Sequence, residues 1–232
     1  MFVHPRLMRA CSGDTCSMDA LDIPRLRGVT HAYAFWCALV AAVVLIAITP
    51  GGVPRAAAAV YGAGLCALFG GSGLYHRWRW HPRWRPILRR IDHSTIYVFI
   101  AACYTPVALL ILDGGFRWVV LGVVWGGALL GVVFSVAWIT APRALCAGTY
   151  VALGWVALLC LPQLSSALPL TPLILIASGG LLYTAGAVIF ALGRPNPWPR
   201  TFGFHEIFHV FVILAAVARF VAMAGWIVMH DA

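Results

Sequence analysis

The chain is 232 residues long, 62% hydrophobic and only 10% charged, with a mean hydropathy of +0.90. Soluble domains carry about 25% charged residues, so this composition excludes a soluble globular protein. The net charge of +9 comes from sixteen arginines, with no lysine, against seven acids; because these arginines lie in short loops between apolar runs, they point to membrane orientation and not to nucleic-acid binding.

Residues 1–30 read as a polar tail punctuated by Pro5, Gly13 and Pro24 and closing on Arg25-Leu26-Arg27. Its early arginines are not followed by an apolar core of about 7–15 residues, so the segment is not expected to be a signal peptide. Seven cysteines at irregular spacing argue against a disulfide scaffold. Cys11 and Cys16 read as free thiols of the tail, because no second pair completes a metal site.

A spanning helix needs roughly 20 apolar residues. Seven stretches meet this length: about 31–49, 56–76, 91–112, 118–139, 144–161, 170–192 and 204–228. The breaks between them are Pro50-Gly51-Gly52, an arginine-rich loop over 77–90, Asp113-Gly114-Gly115, Pro142-Arg143, Pro162 to Pro169, and a proline-rich segment over 193–200. The pattern predicts an all-α, seven-transmembrane helix bundle over residues 31–229.

The arginines orient that bundle. With the N-terminus in the cytoplasm, thirteen fall on the inner side: Arg6, Arg9, Arg25, Arg27, the six from Arg77 to Arg90, Arg143, Arg194 and Arg200. The outer loops hold Arg55 and Arg117, and Arg219 lies within the last helix. The positive-inside rule therefore predicts a cytoplasmic N-terminus and an external C-terminus. That is opposite to a G-protein-coupled receptor, and that class is set aside.

Ionisable residues inside spanning segments are costly and mark functional sites. Here they are Asp92 and Glu206 with His31, His76, His93, His205 and His209, all at helix ends that the topology places on the cytoplasmic side. His205 and His209 are four residues apart and share a helix face. With His76 they supply three imidazoles, the ligand number of a catalytic zinc site with one open position. Ser72 lies one turn from His76, and Asp92 could accept a hydrogen bond from a water held at the metal. His31 and Glu206 are expected to support these ligands from behind. A lone histidine at a helix end is an ordinary interfacial residue, the reading given to His81, His93 and His230.

The string His205-Glu-Ile-Phe-His209 also matches the zincin signature, and Leu112-Asp113-Gly114 resembles the ligand motif of intramembrane metalloproteases. Helix geometry opposes that reading. Asp92 and Asp113 are roughly 30 Å apart at 1.5 Å per residue, which puts Asp113 at the wrong end of the bundle. The motif order is reversed, and Glu206 points about 100° away from His205.

The loop over 77–90 carries six arginines and three tryptophans. It reads as an interfacial anchor, and its charge suits contact with anionic membrane lipids. Arg219, fifteen residues beyond the start of the seventh segment, is expected to face the bundle interior.

The stretches Arg27-Gly-Val-Thr-His31, Ser72-Gly-Leu-Tyr-His76, Arg89-Arg-Ile-Asp-His-Ser94, Tyr104-Thr-Pro106, Pro195-Asn-Pro-Trp-Pro199 and Phe202-Gly-Phe-His-Glu-Ile-Phe-His209 together resemble the hemolysin III family. This is the bacterial branch related to the progestin and adipoQ receptors and, more distantly, to alkaline ceramidases. The resemblance implies a multi-pass protein of the bacterial inner membrane, with zinc on His76, His205 and His209 and a water near Asp92 and Ser72. The relatives often carry a glutamate upstream of His31, where this chain offers only Asp22. Two functions follow. One is a zinc-dependent hydrolase of a lipid amide or ester at the cytoplasmic leaflet. The other is a non-enzymatic membrane protein, a cytolysin or a membrane-state sensor with structural zinc.

Overall fold

A computed structural model describes residues 24–230. Most of the polar tail, with Cys11, Cys16 and Asp22, lies outside the described residues. Among the described residues the chain forms eight α-helices: α1 Val29–Ile48, α2 Val53–Arg77, α3 Arg85–Leu110, α4 Phe116–Ala137, α5 Arg143–Gly154, α6 Ala157–Ala167, α7 Leu170–Leu192 and α8 Phe204–Ala222. The α5 and α6 pair acts as one span, giving seven segments long and apolar enough to cross a membrane. The protein is an all-helical, multi-pass membrane protein.

Helix boundaries have local causes. Pro54 and Pro86 sit in the first turns of α2 and α3, where the missing N–H has no intrahelical partner to lose. Hence α3 starts at Arg85, six residues before Ile91, and takes Arg85, Arg89 and Arg90 into the helix. Gly193, at φ +64°, ends α7 in the left-handed conformation.

The fifth span departs most from the apolar pattern, which ends near residue 161. It breaks at Trp155–Val156, where the Leu158 and Leu159 N–H groups donate to carbonyls three residues back, each at 3.0 Å. The helix then continues to Ala167 with Pro162 inside it. Proline removes the bond to the Leu158 carbonyl, and the tightened turn sits just before that loss. Beyond α8 the chain widens into a π turn over Met223–Ile227.

Lipid offers no hydrophobic force between helices, so close packing through small residues holds a bundle together. A Cβ on Gly64 would lie 2.6 Å from the Ala102 Cβ, and one on Gly73 would lie 3.1 Å from the Ala32 Cα. These contacts seat α2 between α1 and α3, while α8 packs on α7 and reaches α1. At one end of the bundle, the Arg25 N–H donates to the Arg200 carbonyl at 3.0 Å and the Leu26 N–H to Thr201 at 3.3 Å. That ties the segment before α1 to the loop before α8. At the same end Arg143 covers the Phe204 ring at 5.1 Å, and Arg90 Nε donates to the Val136 carbonyl at 3.0 Å. Asp113 stands at the other end with its side chain exposed, 3.6 Å from Arg117.

Candidate metal centre

The ends of α1, α2, α3 and α8 meet at the arginine-bearing side. His76 comes from the last turn of α2, Asp92 from the second turn of α3, and His205 and His209 from successive turns of α8. His76 Nε2 is 3.1 Å from His205 Nε2. One ligand nitrogen from each of His76, His205 and His209 lies within 4.8 Å of the others. Asp92 Oδ2 is 3.4 Å from His76 Nε2, so the carboxylate borders the same point.

His31 and Ser72 stand behind this group. The His31 ring stacks on His209 with centroids 3.7 Å apart and planes 8° from parallel. His31 Nδ1 and Ser72 Oγ are 2.8 Å apart, which locks the ring between α1 and α2. Both residues are buried, as are Asp92 and His209.

Two imidazole nitrogens in contact repel unless a proton or a cation sits between them. On a tetrahedral ion with bonds of about 2.0–2.1 Å, two nitrogen ligands stand roughly 3.3 Å apart, close to the His76–His205 spacing. The His209 Nδ1 is buried without a hydrogen-bond partner among the described residues. The His76, His205 and His209 group could therefore bind a metal, and all-imidazole donors suit a transition ion better than calcium or magnesium.

Glu206 does not join them. Its carboxylate pairs with Arg27 Nε and accepts the Gly203 N–H at 2.7 Å, capping α8 and tying it to the segment before α1. Glu206 is fully buried, so removing it strands the Arg27 charge and an N-terminal donor. Glu206→Ala is expected to destabilise the fold by about 3 kcal/mol, the lower end for breaking a buried pair. Thermal unfolding in detergent would read this as a lowered Tm.

A profile described as "Haemolysin-III related" matches residues 20–220. The chain belongs to the hemolysin III family. It is 31% identical over 163 residues to Hemolysin-3 of Bacillus cereus, covering 69% of this chain and 70% of that one. It is 32% identical over 161 residues to a Hemolysin-3 homolog of Bacillus subtilis (strain 168), covering 69% and 72%. A monocyte to macrophage differentiation factor of Homo sapiens is 28% identical over 205 residues, covering 84% and 80%. The family match spans every helix that contributes to the histidine group.

In this hemolysin III protein the group opens onto a cavity of about 330 Å3. His31, Ser72, Asp92, His205 and His209 line one end, and Arg219 lines it further along α8. His93 also lines the wall, although its position in sequence reads as interfacial. Trp155, Leu158, Leu161 and Leu181 line the cavity and are also exposed on the outer surface. The cavity thus reaches the lipid-facing side beside the break in the fifth span. Two features escape sequence reasoning: the Arg27–Glu206 pair and this cavity. The arginine directly before Gly28 was the available signal for the first.

Proposed function

We propose that this protein is a zinc-dependent hydrolase of a lipid amide or ester, working at the cytoplasmic leaflet of the bacterial inner membrane. The observation that carries this reading is Asp92 Oδ2 beside His76 Nε2, with Asp92, His205 and His209 lining an apolar cavity. His76, His205 and His209 would hold the ion, leaving one coordination position open. A zinc ion there supplies a Lewis acid for a carbonyl oxygen and makes water a stronger acid.

The chain's own residues provide the rest. Asp92 accepts the proton of the water that adds to the carbonyl carbon, and returns it to the leaving amine or alkoxide as the C–N or C–O bond breaks. Ser72 fixes the His31 ring, and that ring fixes His209 by stacking. Apolar walls accept an acyl chain, and the exposed lining residues beside α6 and α7 offer entry from the bilayer. The arginine count supports a cytoplasmic site. Exposed Arg77, Arg79, Arg83 and Arg85, with Trp78 and Trp84, suit contact with anionic headgroups.

Asp92→Asn is expected to retain about one zinc per chain and to lose hydrolysis by at least about 100-fold, the lower end for a general base. The assay is release of fatty acid from a panel of ceramides and acyl amides and esters by purified, zinc-loaded protein. No turnover of any panel member by the unaltered protein would overturn the hydrolase reading. The name of the Bacillus cereus relative favours the second reading, a non-enzymatic cytolysin. Lysis of erythrocytes undiminished in Asp92→Asn would support it.

A further inference from the structure

We propose that the end of the cavity remote from the histidines is an anion-binding subsite, in which Arg219 holds the carboxylate of a long aliphatic chain. Arg219 lies ten residues beyond His209 on α8, about 15 Å further along the axis. Its side chain lines the cavity and is nine-tenths buried, at 9% exposure. Nε has no hydrogen-bond partner among the described residues, and no ion pair there includes this arginine.

Its electrostatic neighbours are Cys103, Tyr104, Tyr183 and Tyr61, none of them a carboxylate. Tyr104 gives its hydroxyl to the Gly154 carbonyl. The hydroxyls of Tyr61 and Tyr183 are buried without a partner, like Arg219 Nε. Two unmet phenols therefore stand near one unpaired cation, and no ion pair among the described residues supplies its counter-charge.

A guanidinium cannot shed its proton to escape burial, and an unpaired buried charge is strongly unfavourable. A carboxylate entering the cavity answers the charge, accepting from the planar guanidinium fork, with Tyr183 on the same cavity wall. The remaining wall decides what the carboxylate is attached to. Leu68, Phe99, Ile176 and Val212 line the same cavity, which suits methylene groups and not sugar or peptide. A chloride ion would answer the charge but leave that apolar volume unfilled. The subsite needs no metal and stands whether or not the hydrolase reading holds.

The test uses the full chain in phosphatidylcholine nanodiscs after treatment with a chelator. Two probes of equal chain length are compared, ionised palmitate and uncharged hexadecanol. Palmitate is expected to bind about tenfold more tightly or better, the scale of a charge-assisted hydrogen bond. Arg219→Gln should abolish this preference, whereas His205→Ala should leave it intact. Equal binding of the two probes overturns the proposal. So does a preference that survives Arg219→Gln, one that vanishes in His205→Ala, or one that disappears when chloride replaces gluconate in the buffer. If Arg219→Gln does not fold, Arg219→Lys and Tyr183→Phe carry the test. Weakened palmitate binding with unchanged hexadecanol binding is expected in both, and unchanged palmitate binding in both overturns the subsite.

Discussion

His205→Ala is expected to lower the zinc content of the purified protein from about one ion per chain to near zero, and His209→Ala to do the same. The expectation follows from donor number. Three imidazoles from two helices converge within 4.8 Å, and a site with three protein ligands cannot lose one without leaving the ion mostly to solvent. His205 is only half-buried, whereas His209 is buried and stacked on His31, so His209→Ala is expected to lower stability as well and zinc is counted per folded chain in both variants. His81→Ala, in the exposed loop, is the control and should keep its zinc. Elemental analysis after zinc loading and dialysis measures all three. The competing account is a proton shared between His76 and His205 at 3.1 Å. It predicts no bound zinc in any of the proteins, and a full complement in both α8 variants would equally sink the three-ligand assignment.

What the sequence made legible was whatever depends on hydropathy and periodicity. Seven spans could be counted from apolar runs, and the helix ends bearing His31, His76, Asp92 and His205 could be placed on one side by the arginines around them. The structure brings those ends together. Boundaries were less legible where proline acts in two ways. Pro86 opens α3 from within the arginine loop, while Pro162 lies inside α6 and not at its end. Local sequence does not separate these cases, because the difference lies in where the preceding backbone bonds go. Side-chain direction was the larger gap. Glu206 belongs to the metal-site motif by sequence, yet its carboxylate is taken up by Arg27, a partner 179 residues away. The cavity was not legible at all, since its lining is drawn from side chains of α1, α2, α3, α5, α6, α7 and α8 together. Arg219 was legible as an interior charge, but the missing counter-charge appears only once its neighbours are known.

Gly28→Ala is expected to damage the metal centre although Gly28 carries no side chain and touches no ligand atom. Gly28 precedes α1 with φ +74°, a conformation that costs other residues roughly 1–2 kcal/mol. A Cβ there would also lie 2.6 Å from the His76 Cβ and 3.0 Å from the Arg77 backbone nitrogen. Backbone at that distance cannot swing aside like a flexible side chain, so either α1 or the end of α2 must shift. Moving α2 displaces His76 from His205. Moving α1 displaces His31 from Ser72 and His209, and strains Arg27 against Glu206. Every route passes through the site. The expected result is a loss of about 3 kcal/mol or more, strain and overpacking combined, with zinc affinity reduced at least about tenfold, as when groups that orient metal ligands are removed. Gly126→Ala supplies the contrast, because a Cβ on that exposed glycine of α4 meets nothing within 4 Å and should be neutral or stabilising by up to about 1 kcal/mol. Thermal unfolding and zinc titration of the two variants measure the difference. A Gly28→Ala protein with unchanged Tm and zinc affinity would show that α1 can leave its seat beside His76 without consequence, and the centre would then rest on α2, α3 and α8 alone.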